Sequence, residues 1–95
     1  MDKKRFPNKR AVEDQKENLY GANLSNMPLV DAKLSNADLY GANLTNADLS
    51  EADLIGADLF ATNLLGAKLE HADLRGANLR YQNLDDLKSR GARID

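Results

Sequence analysis

Cysteine and tryptophan are absent from this 95-residue chain, proline occurs twice and histidine once, and Phe, Tyr and Trp together make up 5% of it. Without cysteine there is no disulfide and no thiolate metal site. With so few aromatics, the 42% apolar content is mostly Leu and Ala, a poor basis for a conventional mixed core. No apolar run approaches the ~18 residues needed to cross a bilayer as a helix, so no membrane association is expected. The start, MDKKRFPNKR, is basic but leads into no apolar stretch of the kind a secretory leader carries, and a cytoplasmic protein is expected. The net charge of −2 lacks the strong basic field of a general nucleic-acid binder. Neither G-x-x-x-x-G-K-[ST] nor G-x-S-x-G occurs, which removes the commonest phosphate-loop and nucleophile-elbow chemistries. The expectation is a non-enzyme without cofactor or metal.

What is there is rhythm. LYGANLSN at 19–26 returns as LYGANLTN at 39–46, a step of twenty. Stepping by five from Leu19 meets Leu at all fourteen positions to Leu84. Two residues before each of these, Ala stands in ten of fourteen cases, the exceptions being Glu17, Met27, Thr62 and Gln82; the residue between is usually Asp or Asn. A continuous helix cannot hold this pattern, because five residues advance about 500° and scatter the Leu around its circumference. A continuous strand fails too, since an odd step alternates faces. Short extended pieces with bends between them satisfy it: Ala in, Asp/Asn out, Leu in, then two corner residues. Gly21, Gly41, Gly56, Gly66, Gly76, Asn26, Asn36 and Asn46 fall at the second corner position, where bends favour those types. Four units with 90° corners close a coil of twenty residues, and stacked coils lie ~4.8 Å apart. Residues i and i+20 then sit one above the other.

These units, among them ADLSE, ADLIG, ANLTN and ADLRG, resemble the pentapeptide-repeat family, whose members read A-(D/N)-L-x-x. The resemblance implies an all-β, right-handed quadrilateral β-helix, here about four coils over residues 17–95 and roughly 19 Å tall. The Leu repeat is strict over 19–84 and degenerate over 85–95. Ser89 and Ile94 occupy the next five-step positions, and continuation of the coil is the favoured reading there. A short capping helix from Asp85 or Asp86 to Gly91 is the alternative. Residues 1–16 carry net +3 and no repeat. Asn8 is placed to cap a short helix through Val12, with Phe6 and Val12 covering the open end of the first coil.

Stacking by twenty generates columns. Tyr20, Tyr40, Phe60 and Arg80 form one that faces outward, with Ile55 and Leu65 on adjacent corners. This is the candidate partner-binding stripe, set against a purely intramolecular ring stack with Arg80 over Phe60. Asp31, Glu51 and His71 form a polar corner column, read as solvated rather than as a metal site. Asn23, Asn43, Asn63 and Asn83 are read as an amide ladder. The second coil, 37–56, carries Asp38, Asp48, Glu51 and Asp53 and no base, a net −4, and makes an acidic belt. Some family members bind DNA gyrase and topoisomerase IV as acidic rods that imitate duplex DNA, so the resemblance implies DNA mimicry as one function. The favoured expectation is a structural or interaction module with flat faces for a protein partner, with homodimerisation or end-to-end association as its own modes of assembly.

Overall fold

The computed structural model describes residues 1–95 as a β-helix closed at its N-terminal end by a helical segment, with overall dimensions of 34 × 19 × 19 Å. Every wall is so short that it contributes one bridged residue, and the pairing is parallel throughout between residues twenty apart. The bridges form four columns, which start at Asn23, Pro28, Lys33 and Asp38 and climb in steps of twenty to Asn63, Lys68, Arg93 and Asn78.

One hydrogen-bond scheme repeats from rung to rung. The Leu N–H reaches up to the Asp/Asn carbonyl of the next turn, as Leu44 to Asn63 at 2.9 Å, and that residue's N–H returns to the lower Ala carbonyl, as Asn63 to Ala42 at 2.9 Å. The second corner residue also reaches up, as Asn46 N–H does to Leu65 O at 2.9 Å. Within a turn, each corner closes with a bond from the residue three past the Leu back to the Leu carbonyl, as Ala52 to Leu49 at 3.0 Å. That bond, with φ of 58–73° at the second corner residue from Gly21 to Tyr81, is the signature of a type II turn. Gly and Asn suit it. Asp31, Glu51, Ala61, His71 and Tyr81 adopt it too, at a cost of about 1–2 kcal/mol each. The coil overrules local preference because a corner that opened would break the bonds both above and below it.

Inside, Leu19 through Leu59 and most of the small-residue column are buried in one continuous core. Each Leu withdrawn from water contributes roughly 1.5–3 kcal/mol, and a Leu–Ala alternation fills the narrow bore. Met27 and Thr62, which depart from the Ala pattern, are buried with the rest, and Thr62 Oγ1 donates to Leu39 O at 2.6 Å.

Residues Lys9–Asp14 form α1, capped by the Asn8 side chain, which accepts from Ala11 N–H at 2.9 Å. Phe6 and Val12 are buried against the first turn, and a short 3₁₀ turn, Lys16–Asn18, leads into the coil. At the other end the favoured continuation of the coil through 85–91 is corrected: Leu84–Ser89 form a second helix, α2. Continuation would put Leu87 in a small-residue slot and Ser89 in a Leu slot. The helix instead buries Leu87 and leaves Ser89 exposed. Asn83 caps α2, accepting from Asp86 N–H at 3.0 Å. The coil then resumes, with Arg93 bridged to Asp73 and Ile94 packed on the core.

Candidate functional site

The outward residue before each Leu is held by a local bond. Its side-chain oxygen accepts the N–H two residues on: Asp38 from Tyr40 at 3.2 Å, Asn43 from Thr45 at 3.0 Å, Asp48 from Ser50 at 3.0 Å, Asp53 from Ile55 at 3.0 Å and Asn63 from Leu65 at 3.0 Å. This is an Asx motif that fixes the entry to each corner. It replaces the amide ladder expected of Asn23, Asn43, Asn63 and Asn83. The first three bond the backbone beside them, and Asn83 caps a helix.

The same motif accounts for most of the acidic belt. Asp38, Asp48 and Asp53 are corner-forming residues before they are surface charges, while Glu51 is itself a corner residue at φ 61°. Asp48 lies beneath Lys68 on the next rung. Its carboxyl is held below the usual range by hydrogen bonds from the Ser50 side chain and backbone, aided by the Lys68 charge. Asp73 is held low chiefly by Arg75, whose Nε and Nη2 grip its two oxygens at 2.9 and 2.7 Å. Asp48 and Asp73, on neighbouring walls, therefore stay ionised to lower pH than a free carboxylate, while Lys68 and Arg75 locally neutralise their charge. Asp31, Glu51 and His71 are exposed on their corner, and no group of three or more metal-ligating side chains assembles.

The aromatic column is only partly a stack. Tyr40 and Phe60 lie face to face, centroids 5.2 Å apart and planes within 4°. Tyr20 makes no ring contact with them and is 61% exposed. Arg80 does not cover Phe60 as expected. It sits over Tyr81 at 5.8 Å, and Tyr81 presents its edge to Phe60 at 5.2 Å and 63°. Tyr81 thus takes the rung the periodicity assigns to Arg80. It is 79% exposed, and the sequence signal for it was an aromatic standing where Gly or Asn usually turns the corner. Ile55 and Leu65 are exposed, but each lies one wall away from Phe60, on the preceding and following corners. The result is a narrow apolar edge, Tyr40–Phe60–Tyr81, with Tyr20 below it and Arg80 beside it. The chain contains no pocket.

The sequence matches the family described as Pentapeptide repeats, in eight copies spanning residues 18–54, 28–66 and 52–86. No curated protein matches it. Among solved structures, a pentapeptide repeat protein from the thylakoid lumen of Arabidopsis thaliana, determined at 1.7 Å, superposes with a TM-score of 0.67 at 29% identity. The match covers 70% of this chain and 48% of that one, so it spans about half the length of the thylakoid protein.

Proposed function

Since the chain belongs to the pentapeptide-repeat family, we propose that it is a non-catalytic interaction module, a right-handed quadrilateral β-helix of about four coils that presents flat walls and one aromatic edge to a protein partner. The observation that carries this reading is the Tyr40–Phe60–Tyr81 edge, in which Tyr40 and Tyr81 are exposed and Phe60 is half-buried between them. A fold that buries every regular Leu of its middle turns gains little from leaving two tyrosine rings and the open flank of Phe60 in water, unless another surface covers them. The solid interior, filled by Leu and Ala, favours recognition by surface over chemistry in a cleft. Tyr40→Ser combined with Phe60→Ser is the test. The variant keeps its circular dichroism spectrum and loses partners captured by the parent chain from its host. Identical captured sets from parent and variant would exclude the edge as the contact.

A second reading, DNA mimicry of the gyrase-binding kind, is favoured by the unbroken acidic stretch of residues 37–56. Regularly spaced carboxylates can enter a phosphate-binding groove. Against it stand the local pairing of Asp48 and Asp73 and the basic residues at both ends. Inhibition of gyrase supercoiling by the purified chain at micromolar concentration would establish this reading over the first.

A further inference from the structure

The four walls of the β-helix differ in charge. In a chain that is 29% charged, residues 20–26, 40–46 and 60–66 carry no charged side chain. These three stretches stack as one wall with both of its corners, since Asn23, Asn43 and Asn63 are bridged in a single column. The corner bond does not demand the amide. Asn23, Asn43 and Asn63 each accept the N–H two residues on. On the other walls Asp38, Asp48, Asp53, Asp58 and Asp73 make the same bond, with Asn78 the one amide. Either residue type serves the corner, so what Asn adds on this wall is neutrality. Tyr20, Tyr40 and Phe60 stand along one edge of it, and Leu65, 72% exposed, stands on the other. Depletion of charge together with Tyr and Phe is the composition of the buried centre of a protein interface.

We propose that this wall is the contact face of a homodimer, covered by the same wall of a second copy whose coil axis runs antiparallel. The proposal rests on reading the aromatic edge as a contact, and it names what covers that edge. A wall without charge is matched by another without charge, and its amides are self-complementary. Asn43 and Asn63 each use one Oδ1 lone pair on the corner and keep the other, together with both Nδ2 hydrogens. Charge returns at the two ends of the wall. Lys3 and Lys4 are exposed at its foot, beside Asp2, whose N–H bonds Asn23 O. Asp85, exposed and in no ion pair, lies at its head just past Asn83. A two-fold axis across the wall, midway between Asn43 and Asn63, sets foot against head. Asn43 then meets the partner's Asn63, Tyr40 meets the partner's Phe60, and Asp85 meets the partner's Lys3 and Lys4. Arg80 meets the partner's Tyr20, the one ring of the column with no aromatic neighbour in its own chain. Parallel pairing would instead set the rings against Ser25, Thr45 and Leu65. A wall 19 Å wide on a molecule 34 Å long presents about 650 Å², about 1,300 Å² for the pair, at the lower end of specific interfaces.

Sedimentation equilibrium of the full chain, from roughly 10 µM to 1 mM, should show the mass rising from one chain to two. Asn43→Asp combined with Asn63→Asp should leave it monomeric throughout, because like charges then face one another in a contact that excludes water. Asp already fills this position on the other walls, and Asp38 and Asp58 already stack one rung apart. The variant should therefore keep the parent's circular dichroism spectrum. Asp53→Asn, the reverse exchange on the opposite wall, should leave the dimer unchanged. Thr45→Cys mixed with Leu65→Cys should cross-link on oxidation, since only antiparallel pairing brings these two corners together. Three results would overturn the proposal: a parent still monomeric at 1 mM, a dimer indifferent to the two added carboxylates, or no cross-link between the cysteine variants. A monomeric parent whose partner capture still depends on Tyr40 and Phe60 would exclude the second copy and leave the aromatic edge as a contact. A dimer that survives Tyr40→Ser with Phe60→Ser but not the added carboxylates would uphold the wall and exclude the edge.

Discussion

The N-terminal end of this β-helix is sealed by a dedicated segment, whereas the C-terminal end is sealed only where α2 lies. The seal at the first end is made of two kinds of interaction. Phe6 and Val12 cover the bore, while Glu13, Lys9, Lys16 and Asp2 meet the backbone of the first turn. At the second end only Leu87 is comparably buried, and Arg90 serves the backbone in place of a strand, donating through Nη1 to Leu64 O at 2.8 Å and Ala67 O at 3.0 Å. A solenoid has to end somewhere, and each of its ends carries unpaired strand groups. Backbone groups of the first turn are met by charged side chains and the leading segment, whereas near the last turn a single arginine and one short helix do that work.

The largest expected effect is on the sealed end. Phe6→Ala should lower unfolding stability by about 3 kcal/mol or more, since it opens the bore and removes a fully buried ring. Leu79→Ala, on the half-open rim, should cost about 1 kcal/mol. Comparable losses in denaturant titration would break the asymmetry. Glycines sharpen it next. Gly91 has φ +92°, and a Cβ there would lie 3.2 Å from Glu70 Cα, whereas Gly21 has φ +64° and open space around it. Gly91→Ala should therefore cost roughly 2 kcal/mol and Gly21→Ala about 1 kcal/mol, read from the same titrations. Glu51→Gly tests the corners away from both ends. Relief of its left-handed backbone, less the entropy glycine adds to the unfolded chain, should raise stability by about 0.5 kcal/mol.

Acid titration gives the smallest effect. Asp48 and Asp73 have folded-state pKa values below their usual 3.8. The unfolded chain therefore binds protons first, and stability present above 3.8 declines as pH falls from there through the lower folded values. Both carboxylates are half-buried but still reach solvent, so the slope should be shallow. Asp73→Asn, which takes away the pairing with Arg75, should flatten it further, as measured by melting temperature between roughly pH 5 and 2.

Most of the coil was legible because two periods, five and twenty, constrain it at once. The Leu positions specify the bore, and Gly and Asn mark the corners. The N-terminal cap was legible through Asn8 and the two apolar residues that follow the basic start. Three features were not. Ala61 and Tyr81 turn corners that their own preferences oppose, and only the neighbouring rungs decide the matter. The Asp and Asn residues were read as surface groups, although a carboxylate or amide two residues before a corner is itself an Asx signal. Residues 85–91 stayed in phase with the period, which hid α2. Leu87 in an Ala slot, Asn83 as a cap and Gly91 just beyond the last turn were the competing signs. In the candidate site, strict periodicity placed Arg80 where Tyr81 actually packs, because periodicity fixes where a Cα lies and not which of two adjacent corner side chains folds over the ring below.

Amide hydrogen exchange on the isolated chain tests the asymmetry of the two ends most directly. Slow exchange is expected at Lys33 and Asp38, whose N–H groups are bonded to the leading segment, and exchange near the unprotected rate at Leu79 and Tyr81. Equal protection of these two pairs in the monomer would contradict it.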